Sequence, residues 1–232
     1  MKARLLGLLL DARRHKQPAV VVTRLSDGQQ GLVVSQQQQQ QQSGPEFDFD
    51  PSLVRESLRY DRAVLSGEGD DAVFYQPFNP PLRLVVVGAV HIAQPLVSIA
   101  STTGYEVVVI DPREAFATAE RFPGIRLNHD WPEEALAELE LDARCAVVTL
   151  THDPKLDDPA LMVALKSAAF YVGALGSKKT HAARVERLQA AGLSPDVIAR
   201  LRAPVGLPIG ARSPAEIAIS VMAQITETHR LG

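Results

Sequence analysis

The stretch from Leu82 to Arg113, LRLVVVGAVHIAQPLVSIASTTGYEVVVIDPR, decides the fold. An apolar, β-branched run (Leu84 to Val87) meets Gly88. A helix-like segment follows, then a second apolar run (Val107 to Ile110) and an acid, Asp111. Strand, glycine turn, helix, strand and terminal acid is the layout of a dinucleotide-binding βαβ unit. Gly88 supplies the tight turn, and Ala93 is small enough for close helix–sheet packing. The pattern G-x-G-x-x-G/A uses its middle glycine so that backbone can approach a pyrophosphate. Here that position is Val90, whose branched side chain obstructs the approach. The amides opening the helix still favour an anion. The expected ligand is therefore anionic or nucleotide-like and bound differently from NAD; a turn used for structure alone is the alternative.

The same alternation continues to the end of the chain. Further apolar runs at Ile125–Leu127, Ala146–Leu150 and Phe170–Val172 read as strands. Helical patterns fall near Gln94–Thr103, Arg113–Arg121, Pro132–Leu139, Pro159–Lys166, Thr180–Ala191 and Pro195–Leu201. Continuous apolar strands predict a parallel sheet covered on both faces. Ser213-Pro214-Ala215-Glu216 predicts the start of a last helix: serine N-cap, proline at the first position and a glutamate completing a capping box. Ile217, Val221 and Ile225 then recur on one face.

The chain changes character near Pro80-Pro81, so two domains are expected, 1–79 and 80–232. The first reads as a small α+β domain: a helix near Lys2–Lys16, strands at Ala19–Thr23 and Gly31–Val34, and a turn at Asp27-Gly28. A run of seven glutamines, Gln36 to Gln42, cannot bury apolar surface and reads as a disordered loop. Asp50 and Pro51 open a short helix to Tyr60, and Ala72–Tyr75 reads as a strand. A domain this small is expected to lean on a neighbouring surface, which leaves a homodimer open.

Composition narrows the function classes. The chain has 232 residues, 46% hydrophobic and 22% charged, which is globular usage. A net charge of −3 without a basic block argues against nucleic-acid binding. The one cysteine, Cys145, excludes an internal disulfide framework and a cysteine-built zinc site; it opens the run CAVVTL and reads as a core thiol. Leu8 to Leu10, stopped by Asp11, is too short for a signal peptide or a membrane span, so a cytoplasmic protein without membrane contact is expected.

Ligands of open α/β sheets sit beyond the carboxyl ends of the strands. That rule gathers Gly88 and His91, then Asp111 and Arg113, then Thr151, His152 and Asp153, then Gly173, Gly176, Ser177, Lys178 and Lys179. Asp111 is placed to accept from ribose hydroxyls, or to cap a helix at Pro112. Arg113 is suited to a phosphate. The segment from Gly173 to Lys179, GALGSKK, leads from strand into helix with added positive charge, and suits an anion, although it lacks the P-loop spacing. Thr151-His152-Asp153, with His91, places imidazole and carboxylate at strand ends, but no spacing matches a metal motif and no metal site is expected. His129-Asp130 reads as a helix cap. No nucleophile elbow or zinc-protease motif is present, and the catalytic residues remain unassigned.

Six segments in order, GAVHIA, VIDPR, ERFPG, LTHDPKLDDPAL, YVGALGSKK and VGLPIGARSPAEIAISVMAQI, resemble the xanthine dehydrogenase accessory factor family (XdhC/CoxI) over about Pro80 to Thr228. The resemblance implies a chaperone that binds molybdenum cofactor, guards it during sulfuration and helps deliver it. The implied partners are a molybdenum hydroxylase apo-enzyme and a cysteine desulfurase or sulfurtransferase. A ligand-site role carries over to Gly88, His91, Asp111, Arg113, His152, Asp153, Gly173, Gly176, Ser177 and Lys178. Many members have glycine where this chain has Val90, and many carry a serine-proline-rich segment and a cysteine-containing strand region in the N-terminal domain, where this chain has Ala19 to Val34 and then glutamines. An NAD(P)-dependent oxidoreductase and a scaffold that binds no cofactor are the alternatives.

Overall fold

A computed structural model describes residues 3–35, 40–43 and 47–231. It divides into two compact units, Met1–Pro80 and Pro81–Gly232. The second holds the candidate site.

The first unit is a five-stranded antiparallel sheet, ordered β3-β2-β1-β5-β4, from β1 (Ala19–Arg24), β2 (Gln30–Ser35), β3 (Gln40–Ser43), β4 (Val64–Ser66) and β5 (Val73–Phe78). Alternation along the strands sends Ala19, Val21 and Leu32 against Leu5, Leu9 and Ala12 of α1 (Ala3–Arg14). Val20, Val22, Val33 and Tyr75 pack on Val54 of α2 (Pro51–Tyr60). Asp50 caps α2 as expected, accepting from the Ser52 amide at 2.7 Å. The glutamine tract is not all loop: Gln40–Gln42 pair with β2, because backbone hydrogen bonds need no apolar side chain. Gln36 to Gln39 lie outside the described residues. The short β4 and a 3-10 turn at Gly69–Asp71 carry no apolar periodicity and were not anticipated.

The second unit is an α/β Rossmann fold. Six parallel strands run in the order β11-β10-β9-β6-β7-β8: β6 (Arg83–Val87), β7 (Glu106–Ile110), β8 (Arg126–Asn128), β9 (Cys145–Thr149), β10 (Tyr171–Ala174) and β11 (Leu201–Arg202). Strand order reverses between β6, which pairs β7, and β9, which also pairs β6; ligand crevices form at such a switch point. Period-two alternation divides the core. Leu84, Val86, Val107, Val109 and Val148 face α3 (Ala93–Thr102) and α8 (Pro214–Leu231). Val85, Val87, Ile110 and Val147 face α4 (Pro132–Glu138), α5 (Pro154–Lys166), α6 (Lys178–Ala190) and α7 (Pro195–Ile198). Each fully buried valine contributes about 1.5–3 kcal/mol of transfer free energy.

Several local expectations are corrected. Residues 113–121 form successive single turns rather than a helix, because Phe122 is pulled into the core and Pro123-Gly124 follows. No helix starts at Pro112 for Asp111 to cap. α5 begins at Pro154, capped by Asp153, and carries Pro159 inside; burial of Leu156, Asp157 and Ala160 outweighs the lost bond. α4 is preceded by Trp131 with no side-chain cap, so His129 and Asp130 do not cap it. α7 ends at Ile198 and the chain returns to the sheet as β11. The Ser213–Glu216 capping box forms: the Ser213 amide donates to Glu216 Oε2 at 2.8 Å and the Glu216 amide to Ser213 Oγ at 3.3 Å.

Cys145 opens β9 fully buried, its Sγ donating to Asp142 Oδ1 at 3.1 Å. Burial, aided by the Asp142 hydrogen bond, pushes the thiol up to about 11. At neutral pH a thiol reagent is therefore expected to leave the folded protein unlabelled and to react only as denaturant unfolds it; stoichiometric labelling in native buffer would contradict this burial.

Candidate functional site at the carboxyl edge of the parallel sheet

At the end of β6, Gly88 takes φ +107°, a conformation that favours glycine. Its amide donates to Ile110 O at 2.8 Å, and a Cβ there would sit 2.5 Å from Thr151 Cγ2 and 3.2 Å from the Thr151 amide. Gly88 is thus the point at which β6 and the loop after β9 touch. The next peptide is held from both sides. The Ala89 amide donates to Asp111 Oδ2 at 2.8 Å, and Ala89 O accepts from Arg121 Nη1 at 2.8 Å.

Asp111 is fully buried at the end of β7. Its Oδ1 also accepts from the amide and Nε of Arg113, at 3.0 and 2.8 Å, and Oδ2 accepts from Nη2 at 2.7 Å. Burial raises this carboxyl, but the bonds from the Arg113 side chain and from the Ala89 and Arg113 amides outweigh it and hold it below the usual carboxylate range. Asp111 therefore spends its hydrogen-bonding capacity on the glycine turn and Arg113, not on an outward-facing acceptor. The Arg113 guanidinium lies 4.5 Å over the Phe116 ring, and Asp153 and Asp157 also favour its charge, so the edges of β7 and β9 converge here.

A depressed carboxyl stabilises the fold above its unfolded-state value and loses that contribution as pH falls through the folded value. Asp111→Asn is expected to lower stability by about 1–3 kcal/mol at neutral pH. The gap between wild type and variant should close as pH drops below about 4. Denaturant midpoints across acid pH check this; a gap constant with pH would mean that the charge contributes nothing.

Beyond β9, His152 takes φ +62°, uncommon for a side-chain-bearing residue, and is exposed. Hydrogen bonds on both sides enforce it. Thr151 Oγ1 donates to the buried Asp157 Oδ1 at 2.7 Å, and the Asp153 amide donates to Thr151 Oγ1 at 3.0 Å. Asp157 Oδ2 accepts from Arg184 Nη2 at 3.3 Å, which also donates to Leu175 O at 3.1 Å. Burial pushes Asp157 above the usual carboxylate range against the pull of Thr151 and Arg184. Asp158 pairs with Arg187 alongside.

β10 leads through Leu175 and Gly176 into α6. Ser177 caps it, accepting from the Thr180 amide at 3.1 Å, and exposed Lys178 and Lys179 fill a first turn free of acids. Gly176 lies over Thr180 and Arg184: a Cβ there would come within 3.3 Å of Thr180 Cβ and 3.7 Å of Arg184 Nη1. Gly173 is buried, because a Cβ would strike Tyr171 and Val205 at 2.8 and 2.6 Å, so its smallness serves packing. Among the described residues, the buried side-chain polar atoms without a partner are Thr149 Oγ1, His181 Nδ1, and Arg184 Nε and Nη1. All belong to the end of β9 or to α6. Burial, reinforced by the Arg184 charge, holds His181 below the usual histidine range. No group of three metal-ligating side chains is gathered among the described residues.

Residues 84–225 match the model of a protein family described as the XdhC Rossmann domain. The chain belongs to the XdhC family. Curated XdhC-like relatives include a Bacillus subtilis protein named as a probable xanthine dehydrogenase subunit, 35% identical over 159 residues, covering 68% of this chain and 46% of that protein. The Escherichia coli "Molybdenum cofactor insertion chaperone PaoD" is 34% identical over 148 residues, covering 64% and 40%. This chain thus spans less than half the length of either. A solved Bacillus halodurans structure described as a xanthine dehydrogenase superposes with TM-score 0.74 at 27% identity, covering 98% of this chain and 64% of that one.

In this XdhC domain the edge of the sheet brings together Gly88, Asp111, Arg113 and Asp153, with exposed His91 and His152 beside their strand ends. Gly176, Ser177 and Lys178 form the turn into α6, and Gly173 stands apart in the core. Sequence reasoning missed Arg121, Asp157 and Arg184. Arg121 lay at the end of an expected helix, Asp157 before the helix expected from Pro159, and Arg184 within an expected helix; the apolar neighbours Leu156, Ala160 and Leu188 were the available sign that these faces are buried.

Proposed function

We propose that this protein is an accessory factor in the maturation of a molybdenum hydroxylase of the xanthine dehydrogenase type, carrying molybdenum cofactor as cargo at the carboxyl edge of the parallel sheet. The observation that carries the reading is the state of the first turn. Its Ala89 amide is already taken by Asp111, and Val90 stands beside it, so the edge is ill suited to an ordinary dinucleotide pyrophosphate. The edge is nonetheless cationic at the start of α6, where Lys178 and Lys179 are exposed and no acid stands in the first turn, as an anionic pterin phosphate requires. The name of the E. coli relative, a molybdenum cofactor insertion chaperone, supports the same reading.

The residues present suit the pterin and its phosphate better than the metal. Cys145 is buried in β9, and no ligand cluster is gathered among the described residues, so the metal would keep the cofactor's own sulfur ligands. Once delivered, the cofactor supplies the redox chemistry of the hydroxylase. On this chain Asp111, Arg113, His91 and His152 would shape the edge, and Gly176, Ser177 and Lys178 would receive the anion. Sulfuration on the chain requires a cysteine desulfurase or sulfurtransferase as a partner.

The test is protein purified anaerobically from a molybdate-supplied host, analysed by mass spectrometry and by pterin fluorescence after oxidation. Stoichiometric molybdopterin is expected. Protein free of pterin that binds NAD(H) on titration would replace this reading with an oxidoreductase, and protein binding neither would leave a scaffold.

A further inference from the structure

We infer that the corner between β10 and α6 is a binding site for a phosphate group, with the buried guanidinium of Arg184 as its floor. The inference rests on the proposed cargo only for the identity of the molecule that bears the phosphate.

Helix starts at the ligand edge differ sharply in charge. The turn into α3 carries the Asp111 carboxylate on its Ala89 amide. α5 opens with Asp153 as its cap and Asp157 in its first turn. α6 alone among these three combines a neutral serine cap, no acid in its first turn, and two lysines. Its Thr180 and His181 amides are satisfied by Ser177, while the amides of Lys178 and Lys179 have no protein acceptor among the described residues. A helix of 13 residues also presents a partial positive charge there.

The second observation is independent of the helix. Arg184 is 1% exposed; Nη2 is held by Asp157 and Nε lies 4.0 Å from Asp158 Oδ1, but Nη1 makes no hydrogen bond. Buried donors left unsatisfied forfeit their hydration without recompense, and native structures keep few of them. Here the unsatisfied Arg184 Nη1 lies beside the turn that opens α6. Gly176 lies next to Arg184 Nη1, since a Cβ there would come within 3.7 Å of it, and its φ of +152° is open to glycine. Movement at Gly176 would expose Nη1 to a phosphate oxygen, with the Lys178 and Lys179 amides taking the others. Asp157 holds Nη2 meanwhile, so the guanidinium stays in place. Arginine suits this role because its fork can serve a carboxylate and a phosphate at once.

The full ¹⁵N-labelled chain titrated with inorganic phosphate tests the site, with chloride at matched ionic strength as control. Saturable shifts of the Gly176, Ser177, Lys178 and Lys179 amides are expected. Arg184→Lys keeps the charge beside Asp157 but removes the fork, and is expected to weaken phosphate on the order of tenfold. The exposed pair Lys178→Glu and Lys179→Glu should weaken it at least as much, and decides the matter if Arg184→Lys folds poorly. Shifts confined to the turn after Gly88, or variants that titrate like wild type, would overturn the site. Cofactor-loaded protein separates the two proposals. Phosphate binding at α6 without pterin retention sinks the cargo and keeps the site. Retained pterin that neither competes with phosphate nor responds to the lysine variants does the reverse.

Discussion

Arg184→Met is expected to destabilise the protein by about 3–5 kcal/mol, because it strands a charge in the interior. Asp157 is fully buried, and its neighbours are Thr151, Leu156 and Ala160 rather than water. Removing the guanidinium leaves the carboxylate with the Thr151 hydroxyl and amide as its remaining donors. Its affinity for a proton, already raised by burial, should rise further. The variant should consequently lose more stability as pH increases, since a carboxyl that must ionise in the interior disfavours the folded state above its unfolded-state value. Urea midpoints at acid and neutral pH measure both effects. Asp157→Leu combined with Arg184→Met should recover much of the loss, because replacing a whole buried pair costs less than breaking it. A single variant within about 1 kcal/mol of wild type would show that solvent reaches the pair.

Gly88→Ala is the second large effect, expected to cost about 2–5 kcal/mol from backbone strain and overpacking together. The strain comes from φ +107°, and the overpacking from Thr151, whose Cγ2 would lie 2.5 Å and whose amide 3.2 Å from the new methyl group. Thr151 cannot simply turn away, because its hydroxyl is bonded to Asp157. Thr151→Ser removes the offending methyl while keeping that hydroxyl, so it should relieve the overpacking but not the strain. A double-mutant cycle read by thermal or denaturant unfolding should therefore show coupling between the two sites. Independent effects would mean that the β6 turn and the β9 loop do not press on each other.

Much of the sheet was legible because its code is local. Runs such as Leu84–Val87 and Ala146–Leu150 show a double-sided burial that only a covered parallel strand requires. The Ser213 capping box is likewise complete within four residues. The failures came where distant contacts outweighed local preference. Residues 113–121 have helical composition, but Arg121 reaches back to Ala89 and Phe122 enters the core, and together they fold the segment into turns. Pro159 read as a helix start because proline favours that position, whereas Asp153-Pro154 supplied the real one. At the site, the rule of strand ends gathered Gly88, Asp111 and Asp153 at one edge, whereas Gly173 falls inside β10 and packs in the core. What the sequence could not show was that Asp111 would be engaged by its own turn, or that Arg184 would point inward from a helix whose other charges face out.

The packing of α3 on α8 has a consequence for synthesis on the ribosome. Ala93, Leu96, Val97 and Ala100 find their cover in Ala218, Val221, Met222 and Ile225, so the first helix of the unit waits for the last. β6 waits similarly for β9 before its second edge is paired. A nascent chain therefore emerges with a sticky, half-built sheet that closes only once α8 has cleared the exit tunnel. The apolar face of α3 thus stays open to other apolar surfaces until the residues of α8 have been made.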